Sequence, residues 1–137
     1  FKADVVYDEI YRQAKESIFI VDNYIGLKTL EKLINIRDGV AVSVFIDNLV
    51  KGLRQSTFDD FSKEYPNLKI QLFHSGGIFH DRYIILDYGT DDEKIFLCGT
   101  SSKDAGRRIT SILEDPDRKK YDSMIKDLLN NKKLVLK

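Results

Sequence analysis

Cysteine is almost absent from this chain of 137 residues, and the one present, Cys98, cannot form an intrachain disulfide. It closes an apolar run, IFLC, where a thiol behaves as a small buried hydrophobe, and the expected compartment is a reducing cytoplasm. Long hydrophobic runs are missing too. No stretch approaches the roughly 18 apolar residues of a membrane span, and the N-terminus has no basic region followed by an apolar one, so neither insertion nor secretion is expected. Net charge is absent as well, with 22 basic and 22 acidic side chains. Methionine occurs once, at Met124, and the chain opens on Phe1. That pairing suggests excision from a longer protein, with a further domain upstream.

The balance of charge is uneven along the chain. Residues 1–98 carry 12 basic and 16 acidic side chains, and residues 99–137 carry 10 and 6. The second part is thus +4, which favours an anionic partner there, although a modest local excess also describes an ordinary solvated surface. A hydrophobic content of 42% with 32% charged residues fits one globular domain spanning 1–137, long enough to bury a core.

Periodicity supplies the elements. Val6, Ile10 and Ala14 recur four apart in a helix over Ala3 to Lys15, and SIFIVD (Ser17 to Asp22) reads as a buried strand. Leu27 to Ile36 is a second helix, stopped by Asp38-Gly39, and Val40 to Asp47 is a central strand. Ser56 or Thr57 could cap a helix running to Tyr65, and Leu68 to Phe73 is the next strand. Phe79 to Asp87 and Lys94 to Cys98 form an antiparallel hairpin around the turn residues YGTDD. Ile109 to Leu113 is a short strand and Pro116 to Asn130 a closing helix. Helices alternating with strands, then a hairpin, predict an α/β fold: a mixed β-sheet flanked by helices on both faces.

The chemistry concentrates between Gly76 and Ile112. Alternation along a strand sends His80 and Arg82 to one face, and the following strand ends in Gly99-Thr100-Ser101-Ser102. An imidazole, a guanidinium and hydroxyls would then line one edge of a sheet, and all three suit a phosphate oxyanion. Lys103, Arg107 and Arg108 follow directly and could track a nucleic-acid backbone or form a solvated loop. His74 could be argued toward zinc with Asp81 or Cys98, but no ligand spacing supports a metal site, and no cofactor is expected.

These residues resemble the signature of the phospholipase D superfamily, His-x-Lys, four residues, Asp, then Gly-Ser-x-Asn. His80, Asp87 and Gly99 are identical to it; Arg82 replaces the lysine, Thr100 the serine and Ser102 the asparagine. The wording HDRYIILD followed by SKDAG looks like a bacterial, phage- or plasmid-associated subgroup. The resemblance covers nearly the whole chain and implies a phospholipase D-like fold, with His80 as nucleophile and Thr100 and Ser102 at the substrate phosphate, where the position of Lys103 and Arg107 adds two cations. It also implies an acid downstream of the Gly-Ser element that orients the histidine, a region where Glu114 lies. Asp87 fits a motif role or, as the first residue of DYGTDD, a purely structural turn.

Family members combine two such motifs, and this chain has one, so a homodimer with a shared site is expected. The resemblance implies a metal-independent phosphodiesterase, acting on DNA or RNA through a phosphohistidine. A second reading is a catalytically silent dimerisation or nucleic-acid-binding module in which Arg82 and Ser102 mark lost chemistry. A phospholipid-processing enzyme is disfavoured, because no amphipathic membrane-docking helix is evident.

Overall fold

The computed structural model describes residues 2–22, 25–47, 52–76, 81–100 and 112–137. Its elements are α1 (Lys2–Arg12), β1 (Ser17–Val21), α2 (Leu27–Glu31), β2 (Ala41–Phe45), α3 (Gln55–Glu64), β3 (Lys69–Phe73), β4 (Asp81–Leu86), β5 (Lys94–Thr100), β6 (Leu113–Asp115) and α4 (Asp122–Leu129), the last preceded by a 3-10 turn, Arg118–Tyr121. The six strands form one sheet in the order β3-β2-β1-β4-β5-β6. β1, β2 and β3 run parallel, whereas β4, β5 and β6 join as an antiparallel series beside β1.

Strand alternation divides the core in two. Ile18, Ile20, Val42, Val44, Leu72, Ile84, Leu86, Phe96 and Cys98 belong to a cluster with Tyr7, Ile10, Tyr11, Leu30 and Phe61, residues of the three helices α1, α2 and α3. Val21, Phe45, Ile85 and Ile95 pack with Tyr121, Ile125 and Leu128 of the closing segment. Both faces are therefore covered by helix, because every central strand is apolar on both sides. Full burial of Ile125 and Leu128 contributes about 1.5–3 kcal/mol each to holding α4 in place.

Several expected elements shift for local reasons. The buried stripe of α1 is Tyr7, Ile10 and Tyr11 rather than one through Val6, which is 40% exposed. That helix ends at Arg12, three residues early, because the backbone N–H groups of Lys15, Glu16 and Ser17 turn to the Asp87 carboxylate. Regular α2 stops at Glu31, and Leu33, Ile34 and Ile36 continue with bonds to the carbonyl three residues back. Leu30, Leu33 and Ile36, spaced by three, line up on one side only when the chain winds at three residues per turn. α3 begins at Gln55 with Arg54 as its N-cap and no side-chain cap bond, so neither Ser56 nor Thr57 caps it. The last strand forms at Leu113–Asp115; the expected Ile109 to Ser111 portion lies outside the described residues.

The β3 edge does not end the ladder. Lys133 bridges Phe73 antiparallel, the His74 N–H donates to the Lys132 carbonyl at 3.0 Å, and Leu134 N–H donates to the Leu72 carbonyl at 3.0 Å. Leu136 is buried beneath this segment while Lys133 and Val135 face outward, the period of a strand.

Candidate functional site

Strand directions bring one set of residues to a common end of the sheet. β1, β2, β3 and β5 finish there and β4 begins there, so Asp22, Asp47, His74, Arg82 and Thr100 all belong to that end. The pairing of β4 with β5 slips at this point. Asp81 pairs with Thr100 but Tyr83 pairs with Leu97, so Cys98 and Gly99 together oppose Arg82. A bulge of this kind opens the ladder and re-aims the side chains beside it, and such bulges are frequent next to active sites.

Arg82 lies on the face covered by α1. Its side chain is 5% exposed, its Nε lies 3.6 Å from Oδ2 of Asp22, and its guanidinium carbon stands 4.8 Å above the centroid of the Tyr7 ring. Carboxylate on one edge and aromatic face below fix the guanidinium plane. Neither Nε nor Nη2 has a hydrogen-bond partner among the described residues, although both are buried. Buried donors without acceptors cost free energy, so a structure that keeps them has a structural or catalytic reason to do so. Burial raises the Tyr7 and Tyr11 hydroxyls well above the ordinary range and pushes the Cys98 thiol up to about 12, so Tyr7, Tyr11 and Cys98 beside the pair stay neutral.

Asp47 organises the connection leading into the motif. Its Oδ1 accepts the backbone N–H groups of Ser75 at 3.2 Å and Gly76 at 3.3 Å, and the half-exposed His74 ring stands 3.9 Å away. Asn131 holds the His74 carbonyl from the other side, at 2.8 Å. Gly76 has φ +86, a conformation that glycine adopts without strain. Among the described residues no three of His, Cys, Asp and Glu group to hold a metal ion.

The remaining sequence candidates divide. Asp87 follows β4 at the opposite end of the sheet, roughly 16 Å from Arg82 at about 3.3 Å per strand residue. Its Oδ1 accepts the N–H groups of Lys15, Glu16 and Ser17 at 3.0, 2.7 and 3.1 Å. Glu114 is exposed on β6, paired with Phe96, two strands from β4. Thr100 ends β5 opposite Asp81. His80, Ser102, Lys103 and Arg107 lie outside the described residues.

Sequence reasoning missed Asp22 and Tyr7 as the partners of Arg82. A signal existed: in SIFIVD, Asp22 has the same strand parity as Ile18 and Ile20, so an acid continues the buried face of an apolar strand.

The fold of this chain is that of the phospholipase D superfamily, shown by its likeness to solved structures. The structure of Nuc from Salmonella typhimurium, a phospholipase D family member, matches with a TM-score of 0.63 and 17% identity over 96% of this chain and 90% of that one. NucT from Helicobacter pylori matches with a TM-score of 0.62 and 17% identity over 97% and 92%. TrmBL2, an archaeal chromatin protein with a novel mode of DNA binding, matches with a TM-score of 0.57 and 15% identity over 97% of this chain and 51% of that one. The sequence matches no protein-family model and no curated protein.

Proposed function

We propose that the chain is a metal-independent phosphodiesterase acting on nucleic acid, with its working site shared across a homodimer. The observation that carries this reading is the buried Arg82 guanidinium, held on two sides, with hydrogen-bond donors uncommitted at the sheet end where β5 delivers Thr100. Donors fixed before the substrate arrives stabilise charge on a phosphoryl oxygen without reorganising. In the reaction His80 attacks phosphorus and expels the substrate oxygen, which takes a proton from the partner's His80; water then cleaves the phosphohistidine and restores both rings. Arg82, Thr100 and Ser102 hold the non-bridging oxygens, and Lys103 and Arg107 contact flanking phosphates. Glu114, downstream of the Gly-Ser element, is assigned to orient the histidine, and Asp87 acts at a distance by anchoring the hairpin. The likeness to Nuc supports the assignment through the fold.

Cleavage of end-labelled single-stranded DNA, double-stranded DNA and RNA tests it, with and without chelator. Wild type is expected to cleave at least one substrate in chelator, His80→Ala none, and both should scatter light as particles of twice 15.8 kDa. A monomer that cleaves, or cleavage abolished by chelation, overturns the reading.

A second reading is favoured by one observation: Arg82 already has a carboxylate beside it. A silent nucleic-acid-binding module keeps such a pair for structure, and TrmBL2 joins this fold to DNA binding. Binding without cleavage by wild type selects it.

A further inference from the structure

Asp22 has no part in the phospholipase D signature, yet it is the acid nearest Arg82 in the described structure. Its side chain is fully buried, and its backbone N–H donates to the Phe45 carbonyl at 3.2 Å, which fixes its height at the end of β1. The carboxylate stands 3.6 Å from the Nε edge of the guanidinium, and the Tyr7 ring covers one flat side. Ordinary phosphate clamps would gain from an unopposed cation, because each added positive charge strengthens oxyanion binding. A carboxylate buried beside the clamp works against that. It makes the pair neutral before the ligand binds, and Tyr7, Tyr11 and Cys98 add no charge.

We propose that Asp22 is a positioning residue that orients Arg82 and sets the charge of the phosphate site, so that it accepts a singly charged phosphodiester over a doubly charged phosphomonoester. The inference rests on the reading of Arg82 as a phosphate clamp. A diester oxyanion brings one negative charge, which the pair can meet at the uncommitted donors. A dianion brings a second charge to a place where a carboxylate is already buried, and like charges close together in a poorly solvated site repel strongly.

Calorimetry on the protein at about pH 8 measures binding of dimethyl phosphate, a monoanionic diester, and inorganic phosphate, mostly the dianion there. Wild type is expected to bind the diester more tightly; equal or tighter binding of inorganic phosphate overturns the proposal. Asp22→Asn should tighten inorganic phosphate about tenfold, while nucleic-acid cleavage falls at least tenfold because the guanidinium loses its guide. General damage would weaken both together, so a parallel loss also overturns it. Where Asp22→Asn fails to keep the wild-type circular dichroism, Asp22→Glu decides. It keeps the charge and shifts it by one methylene, so phosphate binding should stay within about twofold while cleavage falls; unchanged cleavage sinks the positioning role. A wild type that binds both ligands as stated but does not cleave removes the enzymatic reading and leaves the charge assignment standing.

Discussion

Oδ1 of Asp87 accepts the backbone N–H of Glu16 at 2.7 Å, joining the end of β4 to the connection between α1 and β1 across 71 residues of sequence. The same carboxylate takes the N–H groups of Lys15 and Ser17. Asp87 is itself in the left-handed region, with φ +53, and its carbonyl accepts the Thr90 hydroxyl at 2.7 Å as the hairpin turns. One motif residue thus closes the hairpin and aligns β1 beside β4, the strand that carries Arg82. Its contribution to the site is rigidity.

Asp87→Ala should therefore destabilise the fold by about 2–4 kcal/mol, since it strands several N–H groups in a partly buried place and puts a residue without polar side-chain atoms at positive φ. Asp87→Asn tolerates the dihedral and keeps one acceptor oxygen, so its cost should be roughly half. Urea unfolding of the two variants checks the order. Equal midpoints for Ala and wild type would dismiss the anchor.

Asp115 is surrounded differently. Lys120 Nζ lies 2.7 Å from its Oδ2, the Tyr121 hydroxyl donates to the same oxygen at 2.6 Å, and the Asp117 N–H donates to Oδ1. The ammonium and then the hydroxyl hold its carboxyl down at about 2, against an ordinary 3.8. A depressed folded pKa means stability that is present above the unfolded value and lost as pH falls through the folded one. The midpoint of wild type should exceed that of Asp115→Asn above about pH 4, and the difference should shrink toward pH 2. A difference independent of pH would show that packing around Tyr121 is responsible.

The architecture was legible because its signals are one-dimensional. Apolar runs such as VAVSVF and YIIL specify strands buried on both faces, and the YGTDD turn marks a hairpin. Errors arose where side chains far apart decide the matter. Tyr7 rather than Val6 faces the sheet, and its ring lies under the guanidinium of Arg82, far away in sequence. The early end of α1 depends on a carboxylate more than seventy residues away. The three-residue spacing of Leu30, Leu33 and Ile36 was visible, but it resembles a four-residue stripe until Leu27 and Ile34 prove exposed.

The site was legible in its motif and opaque in its surroundings. A hairpin's register follows from its turn and would carry Arg82 opposite Cys98, but the bulge that sets both Cys98 and Gly99 opposite Arg82 is a three-dimensional adjustment. Asp22 escaped because strand parity assigns it a face without naming what waits there.

The segment after α4 offers a test of how the sheet edge is protected. Deleting residues 132–137 would expose the backbone groups of Leu72 and His74 and uncover the site filled by Leu136. Loss of that side chain and its neighbours should cost about 2–4 kcal/mol. An exposed edge also templates pairing with other chains, so the shortened protein should associate further as its concentration rises. Urea unfolding with light scattering measures both, and an unchanged midpoint would assign the edge's protection elsewhere.

Arg82 decides between the enzyme and the binding module, because it is the chief departure from the phospholipase D signature. In an adapted clamp, the planar fork is set against Asp22 and over Tyr7, and a lysine there keeps the charge but loses the stacking and the fixed two-nitrogen geometry. Arg82→Lys should then lower cleavage about tenfold or more, with little change in the urea midpoint, since the Asp22 partner keeps a cation. In a decayed site the same change returns the ammonium to its family position, and turnover should rise from nothing. Arg82→Ala weakens phosphate binding on either account and cannot separate them. Wild type and Arg82→Lys are therefore compared on single-stranded DNA, double-stranded DNA and RNA at one ionic strength, because salt alone shifts backbone affinity. Cleavage by wild type that falls in the lysine variant supports the enzyme. Silence in wild type followed by gain supports the module, and binding without cleavage in both leaves the phosphodiesterase without support.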